Sequence, residues 1–134
     1  MWKENFFLEN DYGESSSLVK FDNVVYNHDI LLEVSTLDLE LSKLNQSAID
    51  FLKIDAEGFD LRVMKGAMDL IKQNKIKIIQ FEYNYTWLYA GSTLFEAIEI
   101  LNSNNYIVFQ LRHDGLYNYD YNRFGDFFGY SNLM

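Results

Sequence analysis

The stretch from residue 49 to residue 82 constrains the fold more than any other part of the chain, because two apolar runs flank a helical pattern within it. The two runs, residues 49–55 and 76–82, have the length and apolar content of buried strands. Between them apolar residues recur at helical spacing, which predicts a helix over residues 59–73. A strand, a helix and a second strand in this order form a βαβ unit, so we expect the two strands to be adjacent and parallel.

Acidic residues stand where both predicted strands end. Asp55 and Glu57 follow the first strand, and Glu82 closes the second. Ligands of open α/β sheets bind outside the carboxyl ends of the strands. We therefore expect these three carboxylates to open into one cleft and to be its catalytic residues. Lys53 lies two residues before Asp55 on the same face of the strand, which predicts a salt bridge from Lys53 to Asp55 or Glu82.

The acidic residues also have structural interpretations that the sequence leaves open. Asp55 could cap the helix that begins near Gly58, and Glu57 would then sit favourably at its positive end. A carboxylate in the same place could orient or deprotonate a substrate hydroxyl, and the two roles are compatible. Asp55, Glu82 and Asn84 offer the oxygen ligands that Mg²⁺ or Ca²⁺ prefers, but their spacing is unspecific and we predict no metal.

The sequence before this unit predicts two further strands and one helix. Residues 1–17 show no clear periodicity, so we expect them to be irregular. Residues 23–35 contain two apolar runs around a polar turn, which predicts two strands, arranged as a hairpin. Thr36 can cap a short helix over residues 37–44.

The sequence after the unit alternates between helix and strand. Residues 83–91 form an aromatic loop, whose rings could line an acceptor site or cover an exposed sheet edge. A capping box at residues 93–96 opens a helix that ends near Leu101. Residues 106–112 and 127–133 predict two late strands, which we expect to pair antiparallel, with an irregular stretch between them.

Composition limits the function classes open to the chain. The 134 residues are 49% hydrophobic, which suits one domain spanning residues 1–134. A net charge of −9 and the lack of a basic cluster argue against nucleic-acid binding. No apolar run reaches the length of a membrane helix, about 18 residues, so we expect no membrane contact. Without cysteine the chain has neither disulfides nor thiol chemistry, and with no export signal we expect a cytoplasmic protein.

The centre of the chain resembles the FkbM family of S-adenosylmethionine-dependent methyltransferases. Residues 53–58 read KIDAEG and residues 65–67 read KGA, which is similar to the hallmark of that family. Thr-Leu-Asp at residues 36–38, Phe81-Glu82 and the end of the chain at residues 130–133 are also similar to family segments. The resemblance covers the chain from about residue 15 to residue 134.

This resemblance implies a partial Rossmann-like, class I methyltransferase sheet with helical crossovers and a C-terminal antiparallel strand pair. The implied function is S-adenosylmethionine-dependent O-methylation of a small-molecule acceptor, a sugar or a secondary metabolite. Family members with this fold open with a strand, a Gly-rich turn and a helix that hold the cofactor, yet the sequence contains no Gly-X-Gly. We therefore expect the chain to correspond to the C-terminal half of such a domain.

A chain without that half should bind S-adenosylmethionine weakly or not at all, and its cofactor-binding residues are unknown. The edge of strand 49–55 would be bare, so we expect self-association or a partner chain that covers it. The alternative is a non-catalytic α/β interaction domain, the remnant of a methyltransferase. A metal-dependent enzyme that uses the carboxylate cluster is a further hypothesis.

Overall fold

The fold of residues 2–9, 16–22 and 24–134 is described by a computed structural model. It is mixed α/β and contains a two-stranded antiparallel sheet and a five-stranded mixed sheet. In chain order the elements are β1 (Trp2–Leu8), β2 (His28–Val34), α1 (Leu37–Lys43), β3 (Ile49–Ile54), α2 (Asp60–Lys65), α3 (Met68–Lys72), β4 (Ile76–Tyr83), α4 (Thr86–Tyr89), α5 (Leu94–Asn102), β5 (Phe109–Arg112), β6 (Gly115–Asn118), α6 (Tyr121–Phe124) and β7 (Ser131–Leu133). No helix within the described ranges is long and apolar enough to cross a membrane.

The predicted βαβ unit is present, and its strands β3 and β4 are adjacent and parallel, with Leu52 opposite Ile79. The single helix predicted over residues 59–73 is wrong, because the segment divides into α2 and α3. Asp38 in α1 explains the division. Its backbone N–H donates to the carbonyl of Gly66, and its carboxylate accepts from the N–H groups of Asp69 and Leu70 at 3.0 and 3.1 Å.

The five strands of the larger sheet follow the order β3-β4-β7-β5-β6, so β3 is an edge strand within the described part of the chain. The predicted antiparallel pairing of the two late strands is confirmed by β5 and β7, although both are shorter than predicted. Between them, residues 115–118 form β6, which pairs antiparallel with β5 and corrects the prediction of an irregular stretch. β7 lies between β4 and β5 and is antiparallel to both.

The N-terminal segment differs from the prediction. Residues 2–8 form a strand, and β2 pairs with this strand rather than within a hairpin over residues 23–35. The first apolar run of that predicted hairpin forms no strand at residues 24–27, where Val25 is exposed, while residue 23 and part of residues 1–17 lie outside the described residues. The helix at residues 37–43 is confirmed, and the Thr36 hydroxyl accepts from the N–H of Leu39.

The core lies on one face of the larger sheet. Side chains from β4, β7 and the helices are completely buried there, among them Phe81, Tyr83, Leu133, Leu61, Trp87 and Leu94. On the other face Phe51 and Ile78, which are opposite one another in the sheet, are exposed. The expectation that residues 49–55 form a buried strand is therefore wrong: Asp50, Phe51 and Lys53 are exposed, and β3 has a free edge within the described part of the chain.

Candidate active site

A tight acidic turn, Asp55–Gly58, leads from the end of β3 towards α2. Glu57 and Gly58 both adopt positive φ angles, 46° and 92°. A Cβ atom on Gly58 would lie 2.7 Å from the carbonyl oxygen of Thr86, so only glycine allows the turn to approach α4 this closely. The turn is thereby held against the segment that follows β4.

Asp55 is engaged by Lys53, as predicted. The Lys53 ammonium donates to Oδ2 of Asp55 at 2.6 Å, and this hydrogen bond raises the pKa of Lys53. The Lys53 side chain is 54% exposed, so the pair lies at the surface and not in a buried strand. The capping role considered for Asp55 is not observed, since α2 follows Phe59 without a side-chain cap.

Glu57 has the least engaged carboxylate of the three predicted residues. Its backbone carbonyl accepts a hydrogen bond from the buried Ser17 hydroxyl at 3.1 Å, which ties the turn to the N-terminal segment. Its carboxylate makes no hydrogen bond or ion pair with the described residues. Partial burial raises the pKa of Glu57, and the neighbouring charges of Glu82 and Asp55 raise it further.

Glu82 lies at the end of β4 and has two polar neighbours. Asn84 donates from Nδ2 to Oε1 of Glu82 at 2.7 Å. The Tyr130 hydroxyl also lies near the Glu82 carboxylate, whose charge raises the pKa of Tyr130. Asn84 itself is buried, and its Oδ1 accepts from the N–H and the hydroxyl of Thr86. That oxygen is therefore already occupied and does not offer a free metal ligand.

Asp60 is a carboxylate of this region that the sequence did not single out. It is only 1% exposed, and its Oδ2 accepts from the N–H of Gly58 at 3.2 Å. Its other oxygen has no hydrogen-bond partner among the described residues. Burial raises the pKa of Asp60 to about 6. An acidic residue in the first turn of a helix is ordinarily a surface residue at the positive helix end, so the sequence carried no signal of this burial.

The structure brings the three predicted carboxylates together at the ends of the parallel strands. Glu57 experiences the charges of both Asp55 and Glu82, and Lys53 those of Asp55 and Glu82. No three His, Cys, Asp or Glu residues in the described ranges are close enough together to hold a metal ion. Carboxylates at the surface are groups that can accept hydrogen bonds from hydroxyl groups.

The aromatic segment beside these carboxylates divides between core and surface. Tyr83 and Trp87 are buried and pack edge to face, with ring centroids 5.1 Å apart. Tyr85 and Tyr89 are exposed, and Tyr89 packs on Phe21 of the N-terminal segment at 5.4 Å. The predicted aromatic loop is thus partly helical, as α4, and only its exposed rings are available to a ligand.

The structure is a mixed α/β fold in which carboxylates lie where two adjacent parallel strands end, the edge at which ligands of open α/β sheets bind. Residues 2–108 match the Methyltransferase FkbM domain. The chain belongs to this family of methyltransferases. The match begins and ends earlier than the resemblance expected from residue 15 to residue 134. No curated protein and no solved structure gives a significant match.

Proposed function

We propose that the chain is part of an S-adenosylmethionine-dependent O-methyltransferase that acts on a neutral, hydroxyl-bearing acceptor such as a sugar or a secondary metabolite. The observation that carries the proposal is the cluster of Asp55, Glu57 and Glu82 at one sheet edge, inside the segment that matches the FkbM family. S-adenosylmethionine, when bound, supplies an activated methyl group on a positively charged sulfur. The residues of the chain supply alignment of the acceptor and a base.

The three carboxylates are suited to different tasks. Lys53 pairs with Asp55, and Asn84 donates a hydrogen bond to Glu82. Glu57 remains free to accept a hydrogen bond from an acceptor hydroxyl and to take its proton. Its raised pKa supports this role, because a general base works best when its pKa approaches the working pH. We therefore assign proton transfer to Glu57 and orientation of the acceptor to Asp55 and Glu82.

Charge favours a neutral acceptor over an anionic one. The cleft combines three carboxylates with one lysine, and the whole chain carries a net charge of −9. A phosphate or carboxylate on the acceptor would be repelled by these negative charges, whereas hydroxyl groups can donate hydrogen bonds to the carboxylates. The exposed rings of Tyr85 and Tyr89 are available to pack on the apolar face of a sugar.

The described residues fit an acceptor better than they fit the cofactor. The sequence contains no Gly-X-Gly turn with which a backbone could approach S-adenosylmethionine closely. We propose that a further strand pairs with the free edge of β3 and extends the sheet into a Rossmann-like one that carries the cofactor site. This strand would come from outside the described residues, and these residues by themselves would bind the cofactor weakly.

The same free edge favours the second candidate function, a non-catalytic domain that binds a partner through β3. One experiment separates the two. The tagged chain is recovered from its native cells with whatever it binds, and formation of S-adenosylhomocysteine is measured with neutral sugars and with sugar phosphates. We expect product with neutral acceptors only. An assembly in which Glu57→Gln forms product as fast as the unaltered chain would contradict the methyltransferase site.

A further inference from the structure

Asn84 connects the two sides of the carboxylate cluster. It is 6% exposed and lies two residues after Glu82. Its amide nitrogen donates to Oε1 of Glu82 at 2.7 Å. Its amide oxygen accepts from the backbone N–H of Thr86 at 2.7 Å and from the Thr86 hydroxyl at 2.6 Å. One short side chain thus makes three hydrogen bonds.

These contacts determine which way the amide of Asn84 points. Rotating it by half a turn would place the amide oxygen against the Glu82 carboxylate and the NH₂ group against the N–H of Thr86. An acceptor would then face an acceptor and a donor would face a donor. The orientation with Nδ2 on Glu82 is therefore the only one that the surroundings satisfy.

The Thr86 end of this chain of contacts reaches the acidic turn. The carbonyl of Thr86 occupies the space that a side chain at position 58 would need, so the turn and Thr86 are packed directly together. Thr86 is itself buried. Asn84 thus binds Glu82 on one side and Thr86 on the other, and Thr86 packs against the backbone turn that carries Glu57.

We propose that Asn84 is a positioning residue, which orients the Glu82 carboxylate and fixes it relative to the turn that carries Glu57. The purpose of this arrangement rests on the proposed function, because it gives one acceptor hydroxyl two carboxylates of fixed separation. The contacts themselves do not depend on it. Charged or titratable groups near Glu82 include Lys53, Glu57, Tyr130 and, at the Glu82 backbone, Asp60.

The first test is Asn84→Asp, which keeps the size of the side chain and its acceptor for Thr86 but replaces the donor to Glu82 by a second carboxylate. The matched control is Asn104→Asp, because the Asn104 amide also donates one hydrogen bond, to the carbonyl of Ile100, but lies far along the chain from the cluster. Denaturant titration of the full chain at low and at neutral pH is the measurement. We expect the folding equilibrium constant of Asn84→Asp to be about tenfold lower at neutral pH than at low pH, relative to the unaltered chain, because the two neighbouring carboxylates repel one another once charged; the control should show no such difference.

The second test reverses the donor and the acceptor. In the double variant Glu82→Gln/Asn84→Asp, the amide introduced on β4 can donate to the carboxylate introduced two residues later, across the same contact. Denaturant titration of the single and double variants measures the coupling. We expect the unfolding equilibrium constant of the double variant to be about tenfold smaller than the value predicted by adding the effects of the two single substitutions. Additive effects within about twofold, or a stability of Asn84→Asp that depends on pH as that of the unaltered chain does, would overturn the proposal.

Neither measurement requires cofactor or acceptor, so the positioning role and the methyltransferase proposal can fail separately. Where the assembly is active, the pH profile of the rate adds a functional readout. The lower limb of that profile should move to higher pH in Asn84→Asp, because repulsion from the added carboxylate favours the protonated form of its neighbours. A purely structural role would lower the rate at every pH without moving the limb.

Discussion

The carboxylate of Asp60 turns back from the start of α2 and accepts a hydrogen bond from the N–H of Gly58, inside the bend that carries Glu57. It is the most deeply buried acidic group of the cluster, and its second oxygen has no partner among the described residues. A buried carboxylate whose donors are all neutral is better tolerated protonated than charged. The backbone of the acidic turn is thus hydrogen-bonded to the buried carboxyl group of Asp60, whose pKa is about 6.

Asp60→Asn should therefore flatten the dependence of stability on pH. The pKa of Asp60 is raised from 3.8 to about 6, so the folded chain binds the proton more tightly than the unfolded chain does. Stability should fall as the pH rises from about 4 to about 6, with an upper limit of roughly 3 kcal/mol. Asp60→Asn should lose this fall and be the more stable chain at pH 7, as measured by denaturant titration at several pH values.

The matched control for this substitution is Asp69→Asn, because Asp69 is exposed in the first turn of the neighbouring helix α3. It should leave the pH dependence as it is in the unaltered chain. A stability profile that Asp60→Asn leaves unchanged between pH 4 and pH 7 would show that Asp60 is already accessible to water.

Glu57→Gln should lower methyl transfer by the native assembly by ~10²-fold or more, because the acceptor hydroxyl loses its base. Asp55→Asn should have a smaller effect, since Asp55 is already paired with Lys53. Initial rates at saturating cofactor and acceptor provide the comparison. A loss of ~10² in Asp55→Ala with little change in Glu57→Gln would assign the base to Asp55 instead.

Gly58→Ala should destabilise the chain more than Gly91→Ala does. Both glycines have positive φ, so both substitutions carry a backbone penalty of about 1 kcal/mol. At Gly58 the new methyl group also meets the carbonyl of Thr86, whereas nothing lies within 4 Å of its counterpart at Gly91. Overpacking adds typically about 1–3 kcal/mol. Equal midpoints of thermal unfolding for the two variants would mean that α4 moves away from the turn at little cost.

The parts of the fold that the sequence predicted are those with local signals. Parallel pairing of β3 and β4 followed from apolar runs separated by a helix of suitable length. The start of α5 followed from its capping box, in which the Thr93 hydroxyl accepts from the N–H of Glu96. The prediction of a site at the strand ends uses a local signal too, because the ends of parallel strands meet at one edge.

The parts that the sequence did not predict depend on contacts between distant residues. Asp38 divides the crossover helix by binding the N–H of Asp69, 31 residues away. β1 shows no alternation of its own and becomes a strand by pairing with β2, so that Phe6 lies opposite Ile30. Such pairings depend on the whole fold, so neither segment alone predicts them. The burial of Asp60 is a consequence of the same long-range packing.

The last prediction concerns the free edge of β3. An uncovered strand edge beside exposed apolar side chains recruits further strands, so the isolated chain should self-associate at low micromolar concentration. Phe51→Lys on β3 should suppress this association, because a lysine on an edge strand opposes pairing. Leu116→Lys is the matched control, since Leu116 is 51% exposed on β6 at the opposite edge and Phe51 is 49% exposed. Sedimentation velocity measures the association, and calorimetry on the same samples measures S-adenosylmethionine binding, which we expect to be weaker than micromolar. A monomer that binds the cofactor at micromolar affinity would contradict the proposed strand partner.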